Sequence, residues 1–203
     1  MNDAPPSNTP PSNTSPSDTS PSDTSLSDTS PAPPPGETPR YSPEEIAQLF
    51  LDAARDGQAD LVAQFLQAGM DPDTRDGRGY PALILAAYNS HLETVSCLLE
   101  GGAQVDLRDD KGATALAGVA FKGEVAVARR LVAAGAEIDA PNLVGRTPLM
   151  FATMFNRTPM VAYLLECGAD PDRRDGEGNS ARSIAERQGQ AAIVALMPRR
   201  RPA

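Results

Sequence analysis

The sequence is poor in the residues that build active sites, disulfide frameworks and aromatic cores. Its 203 residues include no Trp, one His and two Cys, and aromatic residues make up only 4%. Two cysteines are too few for a disulfide framework, and Cys97 and Cys167 both fall in apolar helical patterns, so we expect free, buried thiols. His91 has no plausible catalytic partner in the sequence, which favours a structural role over a catalytic one. We therefore expect no enzyme activity, no cofactor and no metal site.

The sequence also lacks an excess of positive charge and any long apolar segment. Lys and Arg number 18 against 27 Asp and Glu, which gives a formal net charge of −9. Such a chain repels phosphate backbones and anionic lipid surfaces, so we expect neither nucleic acid nor a membrane as a partner. No stretch approaches the roughly 18 apolar residues that span a bilayer, and the first residues do not form a signal peptide. These features predict a soluble cytoplasmic protein with one folded domain.

Residues 1–41 differ in composition from the rest of the chain. The segment repeats a pentad such as PSDTS, and 12 of the 20 prolines lie at or before Pro43. Proline at this density blocks helices and strand ladders, and too few apolar side chains are present to offset the entropy cost of ordering. We predict a disordered acidic tail, which is either an inert spacer or a modification or recognition segment. Residues 198–203 (PRRRPA) form a short basic end, which we interpret as solubilising.

A 33-residue period follows the tail. Gly79, Gly112, Gly145 and Gly178 are each 33 residues apart, and a second glycine column precedes the first by ten residues. Apolar pairs and small residues recur in register with both columns, as do aspartates at 73, 106, 139 and 172. Repetition at this period predicts stacked units that share a core. The expected repeats are 42–78, 79–111, 112–144, 145–177 and 178–197.

Two segments of the fourth repeat carry a family resemblance. Residues 145–152 read GRTPLMFA and residues 164–170 read LLECGAD. They resemble the opening G-x-TPLH-x-A and the closing LL-x-x-GAD of ankyrin repeats, and the resemblance continues in weaker form over roughly 42–197. No repeat has the consensus His. The resemblance implies an all-α ankyrin-repeat solenoid of about five stacked helix pairs with turn-like tips.

Local signals agree with helix pairs. The Thr-Pro dipeptides at 147–148 and 158–159 each predict an N-cap followed by proline in the first helical turn. The sequence SPEE at 42–45 is a capping box, which marks the start of the first unit. Terminal units of a solenoid should be more polar than central ones, and Asp52 and Arg182 stand in columns that hold apolar side chains in the middle of the chain.

The ankyrin resemblance implies a non-catalytic binding function. Ankyrin repeats usually contact protein partners through turn tips and inner helices. We therefore expect a monomeric adaptor or inhibitor that binds a folded protein through these surfaces, centred on the third and fourth repeats. Two alternatives are an accessory or protective regulator of a single enzyme and an exported effector that uses the tail as its signal.

Ten residues in the turn-tip and inner-helix columns are candidate partner contacts, because aromatic and Arg side chains dominate interface hot spots. Leu143 and Val144 are unusual as adjacent apolar residues at a turn tip. We predict that they form an apolar patch with Met154 and Phe155. The aromatic rings could instead pack between helices as additional core. The ten candidates, which include Arg146 and Lys122 at the flanks of the patch, are Tyr80, Tyr88, Arg108, Phe121, Lys122, Leu143, Val144, Arg146, Met154 and Phe155.

Overall fold

The computed structural model describes residues 41–198, which form ten α-helices. The predicted disordered tail up to residue 40 and the basic end from residue 199 lie outside the described residues. Within 41–198 no helix is long and apolar enough to cross a membrane. The helices are α1 Pro43–Asp56, α2 Ala59–Gln67, α3 Ala82–Tyr88, α4 Leu92–Glu100, α5 Ala115–Lys122, α6 Val125–Ala133, α7 Pro148–Met154, α8 Thr158–Glu166, α9 Ala181–Arg187 and α10 Ala191–Leu196.

The helices pack as two parallel rows of five. The inner row consists of α1, α3, α5, α7 and α9, and the outer row of the even-numbered helices. Each helix packs against its partner in the pair and against the neighbouring helix of its own row. The structure therefore confirms the predicted all-α solenoid of five stacked helix pairs.

The repeating columns form the core between the two rows. Small residues of the inner helices recur every 33 residues and are buried, which lets the rows approach closely. Leu98, Leu131 and Leu164 stand at the same position of successive outer helices, and each is 0% exposed. Burying a leucine side chain stabilises a fold by about 1.5–3 kcal/mol, so this column is a large part of the stability. The buried small-residue column is Ala53, Ala86, Val119, Ala152 and Ala185.

All three predicted helix starts are observed, but only two of the three predicted N-caps are confirmed. The Ser42 hydroxyl accepts a hydrogen bond from the Glu45 backbone N–H at 3.2 Å, and the Glu45 carboxylate accepts one from the Ser42 N–H at 2.7 Å. Thr147 accepts from the Met150 N–H at 3.3 Å. The prediction that Thr158 caps α8 is wrong, because Thr158 already has helical geometry and Arg157 precedes the helix as its N-cap.

The residues before three of the outer helices join their units to the preceding ones. His91 Nε2 lies 3.0 Å from the Arg55 carbonyl oxygen, Arg157 Nε donates to the Phe121 carbonyl at 3.0 Å, and Gln190 Nε2 donates to the Thr153 carbonyl at 3.0 Å. A carbonyl oxygen only accepts, so His91 must carry its proton on Nε2, and its role is structural. Glu124 stands in the same column, but an ionised carboxylate has no proton to donate.

A column of aspartates joins successive units at the turns. Asp73 accepts a hydrogen bond from the Gln104 backbone N–H at 2.9 Å, and Asp106 accepts one from the Glu137 N–H at 3.0 Å. Asp139 repeats the contact with the N–H of residue 170, also at 3.0 Å. Each bond spans 31 residues, so these side chains fix the position of one turn against the next.

The last aspartate of this column has a different partner. Asp172 accepts two hydrogen bonds from the Arg182 guanidinium, at 2.9 and 3.0 Å, and the same guanidinium donates to the Pro198 carbonyl at 2.6 Å. Arg182 is only 6% exposed. The last unit is thus polar at Arg182, where the earlier repeats have leucine, as predicted, but this polar residue is buried in an ion pair.

Candidate functional site

Three aromatic rings from successive inner helices form a continuous ladder. The Tyr88 and Phe121 rings are stacked with centroids 6.2 Å apart, and the Phe121 and Phe155 rings meet edge to face at 4.2 Å. Tyr88 ends α3, Phe121 lies in the last turn of α5, and Phe155 follows α7 directly. Tyr88 and Phe155 are each 43% exposed, whereas Phe121 is half-buried between them. We call Tyr88, Phe121 and Phe155 the ring ladder.

A groove runs between the inner helices and the turns that precede them. It has a volume of about 480 Å³, within the roughly 300–1,000 Å³ of typical ligand pockets. Two rings of the ladder, Tyr88 and Phe121, form part of its wall, together with the half-buried Tyr80. We call it the inner groove. Its lining residues are Arg55, Arg78, Tyr80, Ile84, Leu85, Tyr88, Asn89, Asp109, Lys111, Ala113, Thr114, Ala117, Gly118, Phe121 and Phe151.

Cationic side chains lie over two of the groove's rings. The Lys122 ammonium is 5.0 Å from the Tyr88 ring centroid, and the Arg78 guanidinium is 5.4 Å from the Tyr80 centroid. Contacts of this kind contribute about 0.5–1 kcal/mol at exposed sites and hold both partners in place. The positive charge is therefore fixed at the edge of the apolar surface.

Each turn is closed by one side chain that the sequence analysis missed. Asp76 Oδ1 accepts hydrogen bonds from the backbone N–H groups of Arg78 and Tyr80, both at 2.9 Å. Asp109, Asn142 and Asp175 make the same two bonds in the next three turns. The sequence does contain a signal for these four residues, because each precedes a turn glycine by three positions.

Two of these carboxyl groups have a perturbed pKa. Burial alone would raise the pKa of Asp76, but the N–H groups of Tyr80 and Arg78 stabilise the carboxylate and lower it overall. The pKa of Asp175 is likewise lowered, since hydrogen bonds from the Asn179 and Glu177 N–H groups outweigh burial. Both carboxylates stabilise their turns in the ionised state and have no free proton to use in catalysis.

The turn of the third repeat carries the two predicted apolar residues. Leu143 is 77% exposed and Val144 is 52% exposed. Their backbones are held by the adjacent turns, since the Leu143 N–H donates to the Lys111 carbonyl at 3.1 Å and the Val144 carbonyl accepts from Gly176 at 2.9 Å. The apolar side chains are thus presented to solvent on a fixed backbone. We call Leu143 and Val144 the apolar tip.

The apolar tip and the ring ladder are two separate surfaces. The tip lies before the first residue of α7 and Phe155 after the last, and a helix of seven residues is about 10 Å long. Met154 is half-buried against the core, so it contributes less surface than Phe155. The structure therefore brings Phe155 together with Phe121 and Tyr88, and leaves Leu143 and Val144 at the opposite end of the helix.

Both candidate arginines, Arg108 and Arg146, already form hydrogen bonds or ion pairs within the turns. Arg108 Nη1 donates to the Gly112 carbonyl at 3.0 Å and also to the Pro141 carbonyl of the next turn. Arg146 lies 3.5 Å from Asp175 and 3.4 Å from Glu177. Both side chains stabilise turns, which reduces the number of donors that they can offer to a partner.

The cysteines do not form a reactive or metal-binding site in the described part of the chain. Cys97 and Cys167 are free, as predicted, and both pack against the core, but they are half-buried where buried thiols were expected. Cys97 lies in α4, and Cys167 directly follows α8 as its C-cap. Burial and the nearby carboxylates of Glu100 and Asp60 raise the pKa of Cys97, so its thiol is a poor nucleophile. Residues 41–198 contain no cluster of His, Cys, Asp and Glu able to hold a metal.

Comparison with known proteins agrees with the geometry. The family described as ankyrin repeats, in three copies, matches residues 50–142 and 120–198. A Pseudomonas aeruginosa protein named as an ankyrin repeat protein is 41% identical over 51 residues. That segment covers 25% of this chain and 29% of the relative. The family match extends over most of the ten-helix solenoid, and the chain therefore belongs to the ankyrin-repeat family.

Proposed function

We propose that this chain is a non-catalytic adaptor or inhibitor that binds a folded protein partner through its turn tips and inner helices. Ankyrin repeats are in general protein–protein interaction modules. The observation that carries the proposal is the ring ladder: three of the few aromatic residues of the chain lie in one row, and two of them are 43% exposed. Aromatic side chains of this kind supply much of the binding energy of protein interfaces.

The apolar tip supports the same proposal. Exposing two adjacent apolar side chains on an ordered backbone is unfavourable in water unless a partner covers them. The tip precedes α7 and Phe155 follows it, and α7 itself is about 10 Å long. A folded protein surface can reach both at once, since a standard interface buries about 800 Å² per partner.

The test is affinity capture with variants at each surface. We expect Val144→Glu at the apolar tip and Phe155→Lys at the ring ladder each to reduce capture of the partner by tenfold or more, roughly the loss that follows removal of a hot spot. Lysine is chosen for position 155 because a cation is favourable at the C-terminal end of α7. Leu61→Lys is the matched control, because Leu61 is 37% exposed on the outer helix α2.

Circular dichroism and thermal unfolding of the three variants separate loss of binding from loss of folding. The proposal requires that Leu61→Lys capture the same proteins as the unmodified chain. Capture that survives both Val144→Glu and Phe155→Lys in folded variants contradicts it, as does capture that is lost equally in the Leu61→Lys control.

A further inference from the structure

Both lysines of the chain lie at the inner groove. The sequence contains only Lys111 and Lys122, and every other cationic side chain apart from His91 is an arginine. Lys111 lines the groove, and Lys122 lies over the ring of Tyr88, which also lines it. Among residues 41–198, no carboxylate oxygen lies within 4.0 Å of either ammonium group. Their charge is therefore available to a ligand.

The groove differs in charge from the rest of the solenoid. Residues 41–198 carry 14 Lys and Arg against 22 Asp and Glu, so the domain as a whole is strongly acidic. Of the cations on the groove walls, Arg55 pairs with Asp52 and Asp76, and Arg78 pairs with Asp76. Lys111 has no such pair among residues 41–198, and the carboxylate on the walls is that of Asp109. One oxygen of Asp109 already accepts two backbone hydrogen bonds. The unpaired positive charge at the groove is therefore that of Lys111 and Lys122, and in an otherwise acidic protein it attracts carboxylates to this position.

The groove also offers apolar surface in contact with that charge. Tyr88, Phe121 and Leu85 form its inner wall, and Tyr88 is 43% exposed. Lys122 occupies the cationic position over Tyr88, so a cationic ligand that approached this ring would meet a like charge at close range. Carboxylates beside an apolar side chain satisfy both features of the groove.

We propose that the inner groove binds a peptide segment of the partner in which one or two large apolar side chains are flanked by Asp or Glu. The apolar side chain packs on Tyr88 and Phe121, and the carboxylates pair with Lys111 and Lys122. This inference rests on the proposed binding function and specifies the chemistry that the groove selects.

The two lysines provide a direct probe. Reductive methylation with ¹³C-formaldehyde keeps the positive charge and places an NMR signal on Lys111 and on Lys122, which Lys111→Arg and Lys122→Arg variants assign. Three synthetic peptides are titrated into the full chain: one with Leu-Phe between two runs of Glu and Asp, one with Gln and Asn in place of the acids, and one with Ser-Ser in place of Leu-Phe. We expect saturable shifts of both lysine signals with the first peptide only.

Charge removal measures the contribution of the lysines. Exposed ion pairs contribute about 0.2–1 kcal/mol, so we expect each of Lys111→Gln and Lys122→Gln to weaken binding of the first peptide by roughly one and a half- to fivefold. Raising the salt concentration should weaken binding to the unmodified chain more than to the double variant. Arg187→Gln, at an exposed arginine of the last unit, is the matched control and should leave the affinity unchanged.

Several results would overturn the inference. These are equal binding of the amide peptide, equal binding of the Ser-Ser peptide, absence of saturable shifts with the acidic peptide, and equal loss of affinity in the Arg187→Gln control. Sedimentation of the free chain as a dimer that dissociates in Lys111→Gln would assign the groove to a second copy and also overturn it. Partner capture that depends on Val144 and Phe155, together with failure of the peptide titration, would remove only this inference and retain the proposed function.

Discussion

Removing the carboxylate of Asp175 tests whether one side chain closes each turn. Asp175 accepts hydrogen bonds from the backbone N–H groups of Glu177 and Asn179, at 3.0 and 2.8 Å, and its side chain is 1% exposed. Asp175→Ala leaves both groups without this acceptor. At a net contribution of about 1 kcal/mol per hydrogen bond, the expected loss is about 2 kcal/mol. For a domain of this size that loss lowers Tm by about 4–8 °C.

Asp175→Asn separates the hydrogen bonds from the charge. An asparagine keeps the Oδ1 acceptor, and Asn142 fills the equivalent position of the preceding turn with the same two bonds. We therefore expect Asp175→Asn to cost less than about 1 kcal/mol at neutral pH, the part that charge adds to such bonds.

The difference in the free energy of unfolding between the unmodified chain and Asp175→Asn should change with pH in a definite direction. Burial raises the pKa of Asp175, but the N–H groups of Asn179 and Glu177 outweigh it, so the pKa is lower in the folded than in the unfolded chain. The stability due to ionisation is present above the unfolded pKa of about 3.9 and is lost as the pH falls through the folded pKa. The gap between the unmodified chain and Asp175→Asn should therefore close below about pH 4.

Urea and thermal unfolding at pH 7, 5 and 3 measure these differences, followed by circular dichroism because the chain has no Trp. Equal losses for Asp175→Ala and Asp175→Asn at pH 7 would show that the hydrogen bonds are not the source of stability. A gap that widened in acid would contradict the direction of the pKa shift.

Four further substitutions test other parts of the fold by thermal or urea unfolding. Glu124→Gln introduces a side-chain N–H donor, as the equivalent residues before other outer helices have, and it would face the carbonyl of Tyr88. We expect it to stabilise the domain by about 0.5–1 kcal/mol, and an unchanged Tm contradicts this. Gly145→Ala and Gly178→Ala both place alanine at a positive φ, +82° and +80°, which costs about 1–2 kcal/mol. The added Cβ at 145 would lie 2.9 Å from a backbone nitrogen of the next turn and the one at 178 would meet open space, so equal losses refute the contact argument. Leu131→Ala, at a side chain 0% exposed, should cost about 2–5 kcal/mol, and a loss below about 1 kcal/mol would place it outside the core.

The period of the sequence predicted five stacked units, and the resemblance to ankyrin repeats implied that each unit is a helix pair. Glycines at a fixed spacing mark the turns, and apolar columns in register with them must lie in a shared core. Capping could also be predicted where a Thr or Ser side chain reaches the backbone N–H three residues later, as at Ser42 and Thr147. The prediction of an N-cap was wrong at Thr158, because a Thr-Pro dipeptide also occurs inside the first turn of a helix.

The site was less predictable because it depends on distances between units. The spacing places Tyr88, Phe121 and Phe155 on successive inner helices, but whether neighbouring rings touch depends on rotamers and on the separation of the helices. The groove could not be predicted for the same reason, since its volume depends on the distance between the turns and the inner helices. The aspartates at 76, 109 and 175 could have been found, because they repeat every 33 residues around Asn142 and precede a turn glycine by three positions.

The ion pair of Arg182 and Asp172 lies in the column through which earlier repeats fix the position of the next one. In earlier turns the aspartate of this column accepts the backbone N–H of the following unit, which is how one repeat fixes the position of the next. At Asp172 both carboxylate oxygens accept from Arg182 instead. A designed sixth repeat grafted behind α10 would meet that guanidinium at the carboxylate to which its own backbone N–H should bond. Replacing Arg182 with the leucine of the central repeats is therefore the substitution with which to begin lengthening this solenoid, and with it the surface that it can present.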